Sequence, residues 1–250
     1  MIRQMIRSYL YLDYYFHRIT GTGAFGSRAA GPVAESCHEI VNPVKQALYR
    51  HFVFQYHESS CSVASVVAAI NTLLDVSGNL DRPPVTQKEI LETVREGHWK
   101  ERMGENGYKG RRGLPLHTLG QVVRASLDAY GFSHAGVETV QASGDSRQSR
   151  QIRSRLMAHL LQFETSGNCL IIAHFDQGSY VPELHIPHIS PVGGFDPVSR
   201  MVTILDVDPS QANPYRIPFD LFYQGLSSNY HNLFKPFGYG RGGYIFIRFR

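Results

Sequence analysis

Three residues in this sequence have the types and the order of a nucleophile, a base and an orienting acid. Cys61 follows a polar loop and opens an apolar run with helical spacing, where the positive end of a helix dipole stabilises a thiolate. His188 begins one strand-like segment, and Asp206 lies near the end of the next. If these segments form a hairpin, the carboxylate can orient the imidazole and leave its second nitrogen for the thiol. The arrangement predicts a thiolate–imidazolium pair that attacks a carbonyl group.

The loop before Cys61 supplies further candidates. Gln55 lies a few positions upstream and can present an amide donor to an oxyanion near the sulfur. Ser59 or Ser60 is a suitable N-cap, because its hydroxyl can bond a free N–H of the first helical turn. The competing interpretation is that Cys61 is a small buried hydrophobe at the start of a core helix.

Helical periodicity dominates the first part of the chain. The predicted helices are residues 61–76, 86–96, 115–130 and a segment around 152–161. Thr86 and Glu89 fit a capping box at the start of the second helix. Residues 97–113 form a polar, glycine-bearing loop in this interpretation.

Strand patterns dominate the second part of the chain. The predicted strands are residues 169–175, 188–195, 201–207 and 243–250, and a helix is predicted for 217–226. Polar and apolar residues alternate in the last of these strands. Because helices precede an antiparallel sheet, the predicted fold class is α+β.

We divide the 250 residues into two parts. Residues 1–42 form an N-terminal arm followed by a mobile loop rich in Gly, Ala and Ser. Residues 43–250 form a single catalytic domain with a helical part at about 43–165 and a sheet part at about 166–250.

The composition argues against several classes of function. The formal net charge is +4 with no basic stripe, so we expect no nucleic-acid partner. Apolar runs stay well short of the roughly 20 residues of a membrane span, so we expect no membrane partner. The three cysteines, Cys37, Cys61 and Cys169, form no CxxC motif, which favours reduced thiols and a cytoplasmic location.

The segments around these residues resemble the phytochelatin synthases, which are papain-like gamma-glutamylcysteine dipeptidyl transferases. The resemblance covers roughly residues 43–250. It rests on Gln55 and its spacing to Cys61, on a His-x-Ser-Pro-x-Gly-Gly motif that starts at His188, and on the Ile-Leu-Asp-Val run around Asp206. Shorter matches occur at residues 61–65, 112–113, 167–169 and 241–244.

This resemblance implies a papain-like fold with an N-terminal helical lobe and an antiparallel sheet lobe. It implies that Cys61 is the nucleophile, His188 the general acid and base, Asp206 its orienter, and Gln55 the oxyanion donor. The implied reaction cleaves the Cys–Gly bond of glutathione through a gamma-Glu-Cys acyl-enzyme, which passes to water or to a second thiol peptide. The chain is similar to the short bacterial type, and a homodimer is left open. The implied partner is a small thiol peptide such as glutathione, with no tightly bound cofactor and with heavy-metal ions acting as complexes with the thiol substrate.

The sequence departs from the family pattern at two places. Ser62 stands where a glycine usually follows the nucleophile, and residues 208–215 (DPSQANPY) stand where the family has a basic and aromatic stretch. One alternative is therefore a papain-like acyltransferase or protease that acts on a carrier-bound acyl group or a protein. Another is a non-catalytic binding protein, although the complete set of four site residues argues against it.

Further residues are candidates for substrate or metal binding. The substrate-binding candidates are Ser60, Arg111, Arg112 and Ser190. For the two arginines, as for Trp99 and Tyr108 in the same loop, a solvated loop is an equally good interpretation. A metal centre could draw on His57, Cys61, His185 and His188, but we expect none, because His188 already has a role and the spacing of the ligands is not that of a zinc site.

Overall fold

The computed structural model describes residues 42–79, 82–211, 213–228 and 240–249, together with several helical residues between 5 and 20. The loop predicted for residues 20–36 and Cys37 lie, apart from Thr20, outside the described residues. The helices from residue 43 onward are α1 (Pro43–Arg50), α2 (Cys61–Val76), α3 (Gln87–Thr93), α4 (Trp99–Met103), α5 (Leu116–Ala129), α6 (Ser146–Ser166) and α7 (Phe219–Ser227). Short 3-10 turns occupy Glu96–His98 and Gln177–Ser179.

Six strands in the described part of the chain form one antiparallel sheet. They are β1 (Gly136–Gln141), β2 (Cys169–Asp176), β3 (Pro187–Asp196), β4 (Met201–Ile204), β5 (Tyr215–Pro218) and β6 (Gly243–Arg248). Their order across the sheet is β1-β6-β2-β3-β4-β5, and every neighbouring pair is antiparallel. The α+β class predicted from the sequence is confirmed.

Helix α2 forms the centre of the helical part. Every residue from Cys61 to Leu74 is buried, and the helix packs against α1, α3, α5 and strand β3. The apolar stripe seen in the sequence therefore understates its burial, because polar residues on the other faces are buried as well. Their polar groups are paired, for example Asn71 with the backbone of Val85 and Thr72 with Ala68. This pairing avoids the cost of unsatisfied polar groups in the core.

Several element boundaries differ from the sequence prediction. Strand β1 was not predicted and lies within the part taken as helical. It is a short strand, and among the described residues it pairs only with β6. Ile217 and Pro218, the first two residues of the helix predicted for 217–226, belong to strand β5 instead. Helix α7 begins at the next residue. Helix α3 ends at Thr93 rather than near residue 96, although Thr86 caps it as predicted through the N–H of Glu89.

The last strand and the hairpin before it also differ from the prediction. Strand β6 is not half-exposed: it lies between β1 and β2, and five of its six residues are buried. Strand β4 ends at Ile204 rather than at 207. The pairing of β3 with β4 shifts between Val192 and Gly194, a bulge that bends the hairpin. None of the described helices has both the length and the apolar character needed to cross a bilayer.

Candidate active site

Cys61 is the first residue of α2 and is almost buried, with 8% of its surface exposed. Ser60 occupies the N-cap position but makes no capping bond. Its hydroxyl donates instead to the carbonyl of His57 (2.8 Å) and accepts the N–H of the same residue (3.0 Å). The predicted side-chain cap is therefore wrong, because this hydroxyl closes the preceding loop. The loop and the helix together fix the start of α2, where the unpaired N–H groups of a helix converge.

Strand β3 carries His188 into the core, where only 4% of it is exposed. Its Nε2 donates a hydrogen bond of 2.7 Å to Oδ1 of Asp206. The thiol of Cys61 lies close enough to the ring to help raise the pKa of His188. Because the carboxylate engages Nε2, the nitrogen that faces the sulfur is Nδ1. The structure thus brings the three predicted residues together, and Phe175 packs edge-on against the ring with 5.9 Å between centroids.

Asp206 lies just beyond the end of β4 and is 2% exposed. Its Oδ2 accepts the hydroxyl of Tyr215 (2.7 Å), and its Oδ1 also accepts the backbone N–H of Asp208 (2.9 Å). The neighbouring carboxylate of Asp208 faces another partner, because it accepts a hydrogen bond from the side-chain amide of Gln177 at 3.0 Å. Asp206 is therefore the acid that holds His188.

The His188–Asp206 pair carries charge on both members. Burial alone lowers the pKa of His188, but the charge and hydrogen bond of Asp206, followed by those of Cys61, outweigh it and raise the pKa well above 6.5. For Asp206, burial raises the pKa, but the charge of His188 and the three hydrogen bonds lower it overall. An imidazolium held by a carboxylate next to the thiol is the charge state that stabilises a thiolate.

Gln55 is half-buried in the loop before α2, and its backbone N–H donates to the carbonyl of Val207 at 2.8 Å. This bond ties the loop of Gln55 to the segment that carries Asp206. Its side-chain Oε1 is buried without a hydrogen-bond partner among the described residues. The oxyanion role of Gln55 stays a prediction.

A cavity of about 100 Å³ opens beside Cys61. Its walls include Glu58, Arg112, Leu114 and His174. Arg112 lies 3.6 Å from the carboxylate of Glu58, and its Nη2 donates to Nδ1 of His57 at 3.3 Å. Of the four predicted substrate-binding residues, Arg112 is the one that lines this cavity.

The other three substrate-binding candidates have different surroundings. Ser60 and Ser190 are both fully buried. The hydroxyl of Ser190 accepts the backbone N–H of Val207 (3.2 Å), and the hydroxyl of Ser60 bonds the backbone of His57. Both hydroxyls hold loops of the site in this structure, and their role in substrate binding stays a prediction. Arg111 is exposed and forms an isolated backbone bridge with Tyr108, whose ring stacks on His98.

Trp99 is not part of a solvated loop. It is fully buried in α4, and its indole N–H donates to Oγ of Ser62 at 3.0 Å. The serine that replaces the glycine of the family pattern therefore accepts a hydrogen bond at the start of α2. This pairing supports the helix next to the nucleophile.

The histidines considered for a metal centre have other neighbours. Nδ1 of His57 accepts the N–H of Ser59 at 3.3 Å, and His185 pairs with the buried carboxylate of Asp176. Within the described ranges no three His, Cys, Asp or Glu side chains are grouped as metal ligands would be. Cys169 lies in β2 at 0% exposure, where burial raises its pKa to about 12.

Two residues at the site were missed by the sequence reasoning. Tyr215 bonds the orienting acid, and His174 lines the cavity beside the nucleophile. The signal for His174 was available, because it is a histidine within an otherwise apolar strand. Tyr215 had no such signal, because its strand was not recognised.

A cysteine at the start of a buried helix, next to a histidine on an antiparallel sheet and an acid just beyond the neighbouring strand, is the arrangement of papain-like cysteine enzymes. The family model for phytochelatin synthase matches residues 26–239, which is most of the chain. The chain therefore belongs to the phytochelatin synthase family. A comparison with the curated proteins finds no match.

Proposed function

We propose that this protein cleaves the Cys–Gly peptide bond of glutathione and forms a gamma-Glu-Cys thioester on Cys61. The observation that carries the proposal is the position of His188, whose ring bonds the carboxylate of Asp206 and lies next to the thiol of Cys61. A second thiol peptide or water then takes the acyl group.

In the acylation step the Cys61 thiolate attacks the carbonyl carbon of the substrate cysteine. The negative charge that develops on the carbonyl oxygen is stabilised by first-turn N–H groups of α2 and by the side-chain amide of Gln55. His188 gives its Nδ1 proton to the glycine nitrogen as the C–N bond breaks. Glycine leaves, and a thioester joins Sγ of Cys61 to the gamma-Glu-Cys acyl group.

In the second step neutral His188 acts as a base. It takes a proton from water, or from the amino group of a second thiol peptide, as that nucleophile adds to the thioester carbonyl. The carbon–sulfur bond then breaks and the Cys61 thiolate is restored. Water yields free gamma-Glu-Cys, and the thiol peptide yields a product longer by one gamma-Glu-Cys unit.

The cavity supports a small charged peptide as substrate. Its walls place the guanidinium of Arg112 and the carboxylate of Glu58 on the approach to Cys61. A peptide that bears free amino and carboxylate groups can meet both signs of charge there.

A second candidate function is favoured by the segment after Asp206. Residues 208–215 contain no Lys or Arg, and Asp208 is turned toward Gln177. Such a segment offers no cation to an acidic peptide, so the same triad could serve an acyltransferase or protease with another substrate. This candidate predicts that Cys61 reacts with iodoacetamide while glutathione is left intact.

Glycine release tests the proposal. The protein is incubated with glutathione, and free glycine and thiol products are quantified for the wild type, Cys61→Ala and Cys169→Ala. We expect release by the wild type and by Cys169→Ala, and none by Cys61→Ala. Intact glutathione with a reactive Cys61 would favour the second candidate.

A further inference from the structure

Strand β2 brings a second histidine to the cavity of the nucleophile. His174 is 1% exposed, and it lines the same cavity as Cys61 and Arg112. Its Nε2 lies 3.2 Å from the carbonyl oxygen of Leu114. Its Nδ1 is buried and has no hydrogen-bond partner in the part of the chain that the structure describes. Buried polar atoms in proteins are nearly always paired, so an unpaired nitrogen on a residue that lines a cavity requires an explanation.

The neighbours of His174 determine which hydrogen bond Nδ1 can form. A carbonyl oxygen can only accept, so Nε2 carries the hydrogen and Nδ1 keeps its lone pair. Burial lowers the pKa of His174 to about 4, and the charge on His188 also lowers it. These two influences outweigh the backbone groups of Leu114 and of His174 itself, which raise the pKa. The ring is therefore neutral at physiological pH, and Nδ1 is an acceptor.

We propose that His174 is a substrate-binding residue whose Nδ1 accepts a hydrogen bond from an N–H group of the molecule in the cavity. It thereby selects acyl donors that carry an amide or ammonium hydrogen next to the carbonyl attacked by Cys61. The inference rests on the proposed function, since it takes Cys61 as the nucleophile, and it adds a determinant of specificity. An ester or thioester that presents only acceptors at this position leaves Nδ1 unpaired and binds less well.

Two variants separate substrate binding from a purely structural role. His174→Gln places an amide nitrogen near the position of Nε2, so it keeps a donor for Leu114 but removes the acceptor at Nδ1. His174→Asn places an oxygen near Nδ1 and loses the bond to Leu114. If His174 binds substrate, the asparagine variant keeps the selectivity; if His174 only braces Leu114, the glutamine variant resembles the wild type.

The probes are N-methyl iodoacetamide and methyl iodoacetate, which both alkylate thiols. They differ at one position, because the amide has an N–H group next to its carbonyl and the ester has an oxygen atom there. The rate of alkylation at Cys61 is measured by peptide mapping and divided by the rate with a free thiol in solution. We expect the wild type to prefer the amide by roughly threefold to tenfold, the worth of one neutral hydrogen bond. We expect His174→Gln to lose this preference and His174→Asn to keep most of it.

Either of two results would overturn the inference: no amide preference in the wild type, or an undiminished preference in His174→Gln. The wild-type result stands even if a variant fails to fold, which thermal unfolding would reveal. Glutathione turnover is measured in parallel, where we expect His174→Gln to raise KM more than it lowers kcat. If glutathione is not cleaved but the amide preference is present, the proposed substrate is wrong and the role of His174 survives.

Discussion

Tyr215 donates a hydrogen bond of 2.7 Å to Oδ2 of Asp206, the same carboxylate whose Oδ1 accepts from His188. The tyrosine is fully buried, and its ring stacks on Tyr180 with 3.6 Å between centroids. Because β5 carries Tyr215 and β3 carries His188, the carboxylate joins two strands that are not adjacent in the sheet. The orienting acid is thus itself held in place from its far side.

Tyr215→Phe should impair catalysis through Asp206. Removing the hydroxyl leaves Oδ2 of a buried carboxylate without this donor, which costs about 2 kcal/mol for a bond to a charged group. We expect a loss of stability of this order and a decrease of about tenfold in kcat/KM. Denaturant unfolding and steady-state kinetics check the two effects.

Tyr223→Phe is the matched control for this prediction. Tyr223 is also buried, but its hydroxyl donates to the neutral carbonyl of Ser143 at 3.0 Å. The Tyr223→Phe variant should be less stable than the wild type and should keep its activity. Full activity in Tyr215→Phe would show that Asp206 does not depend on the tyrosine.

Ser65 links the nucleophile to the strand of the base. Its Oγ lies 2.8 Å from the carbonyl oxygen of Cys61 and 3.0 Å from that of Ile189. We expect Ser65→Ala to lose about 1 kcal/mol of stability and to lower kcat severalfold, because the start of α2 can then shift relative to His188.

Thr72→Val provides the comparison for Ser65→Ala. Thr72 is a buried residue of the same helix, and its Oγ1 donates to the carbonyl of Ala68 at 2.7 Å. Thermal unfolding and kcat are measured for both variants. If the two lose stability equally and neither loses activity, Ser65 has no positioning role.

Gln55→Ala tests the oxyanion donor. Loss of one such donor lowers kcat by about a hundredfold while KM changes little, because the charge exists only in the transition state. The backbone bond from Gln55 to Val207 is unaffected by the substitution, so the loop should keep its position. Steady-state kinetics with glutathione separate the two parameters. A wild-type kcat would remove Gln55 from the mechanism.

The pH dependence of the site follows from the His188–Asp206 pair. The folded-state pKa of His188 is raised above 6.5, so its charge stabilises the fold fully below that value and is lost as the pH rises through the folded pKa. The pKa of Asp206 is lowered, so its contribution is present above its ordinary value and is lost as the pH falls through the folded pKa. Stability should therefore decline on both sides of neutrality.

NMR titration of the His188 ring proton tests the origin of this shift. We expect Asp206→Asn to lower the pKa of His188 more than Cys61→Ala does, because the carboxylate is the stronger of the two influences that raise it. A titration curve that does not move in Asp206→Asn would contradict the pairing.

The sequence carried enough information for the central residues but not for their surroundings. Cys61, His188 and Asp206 could be predicted, because the helix start and the hairpin are local patterns. Tyr215 could not, because β5 is a short strand next to a proline whose identity depends on pairing with β4. The burial of Trp99 could not be predicted either, because the residues around it in the sequence are polar and rich in glycine. Its contact with Ser62 is known only from the structure.

Intact-mass spectrometry of the protein after brief exposure to glutathione shows whether Cys61 forms an acyl-enzyme. We expect a mass increase equal to one gamma-Glu-Cys acyl group, located on the Cys61 peptide and absent from Cys61→Ala. Cys169, fully buried with a raised pKa, serves as the internal control and should stay unmodified. No adduct on a Cys61 that still reacts with iodoacetamide, with no glycine released, would contradict glutathione as the acyl donor.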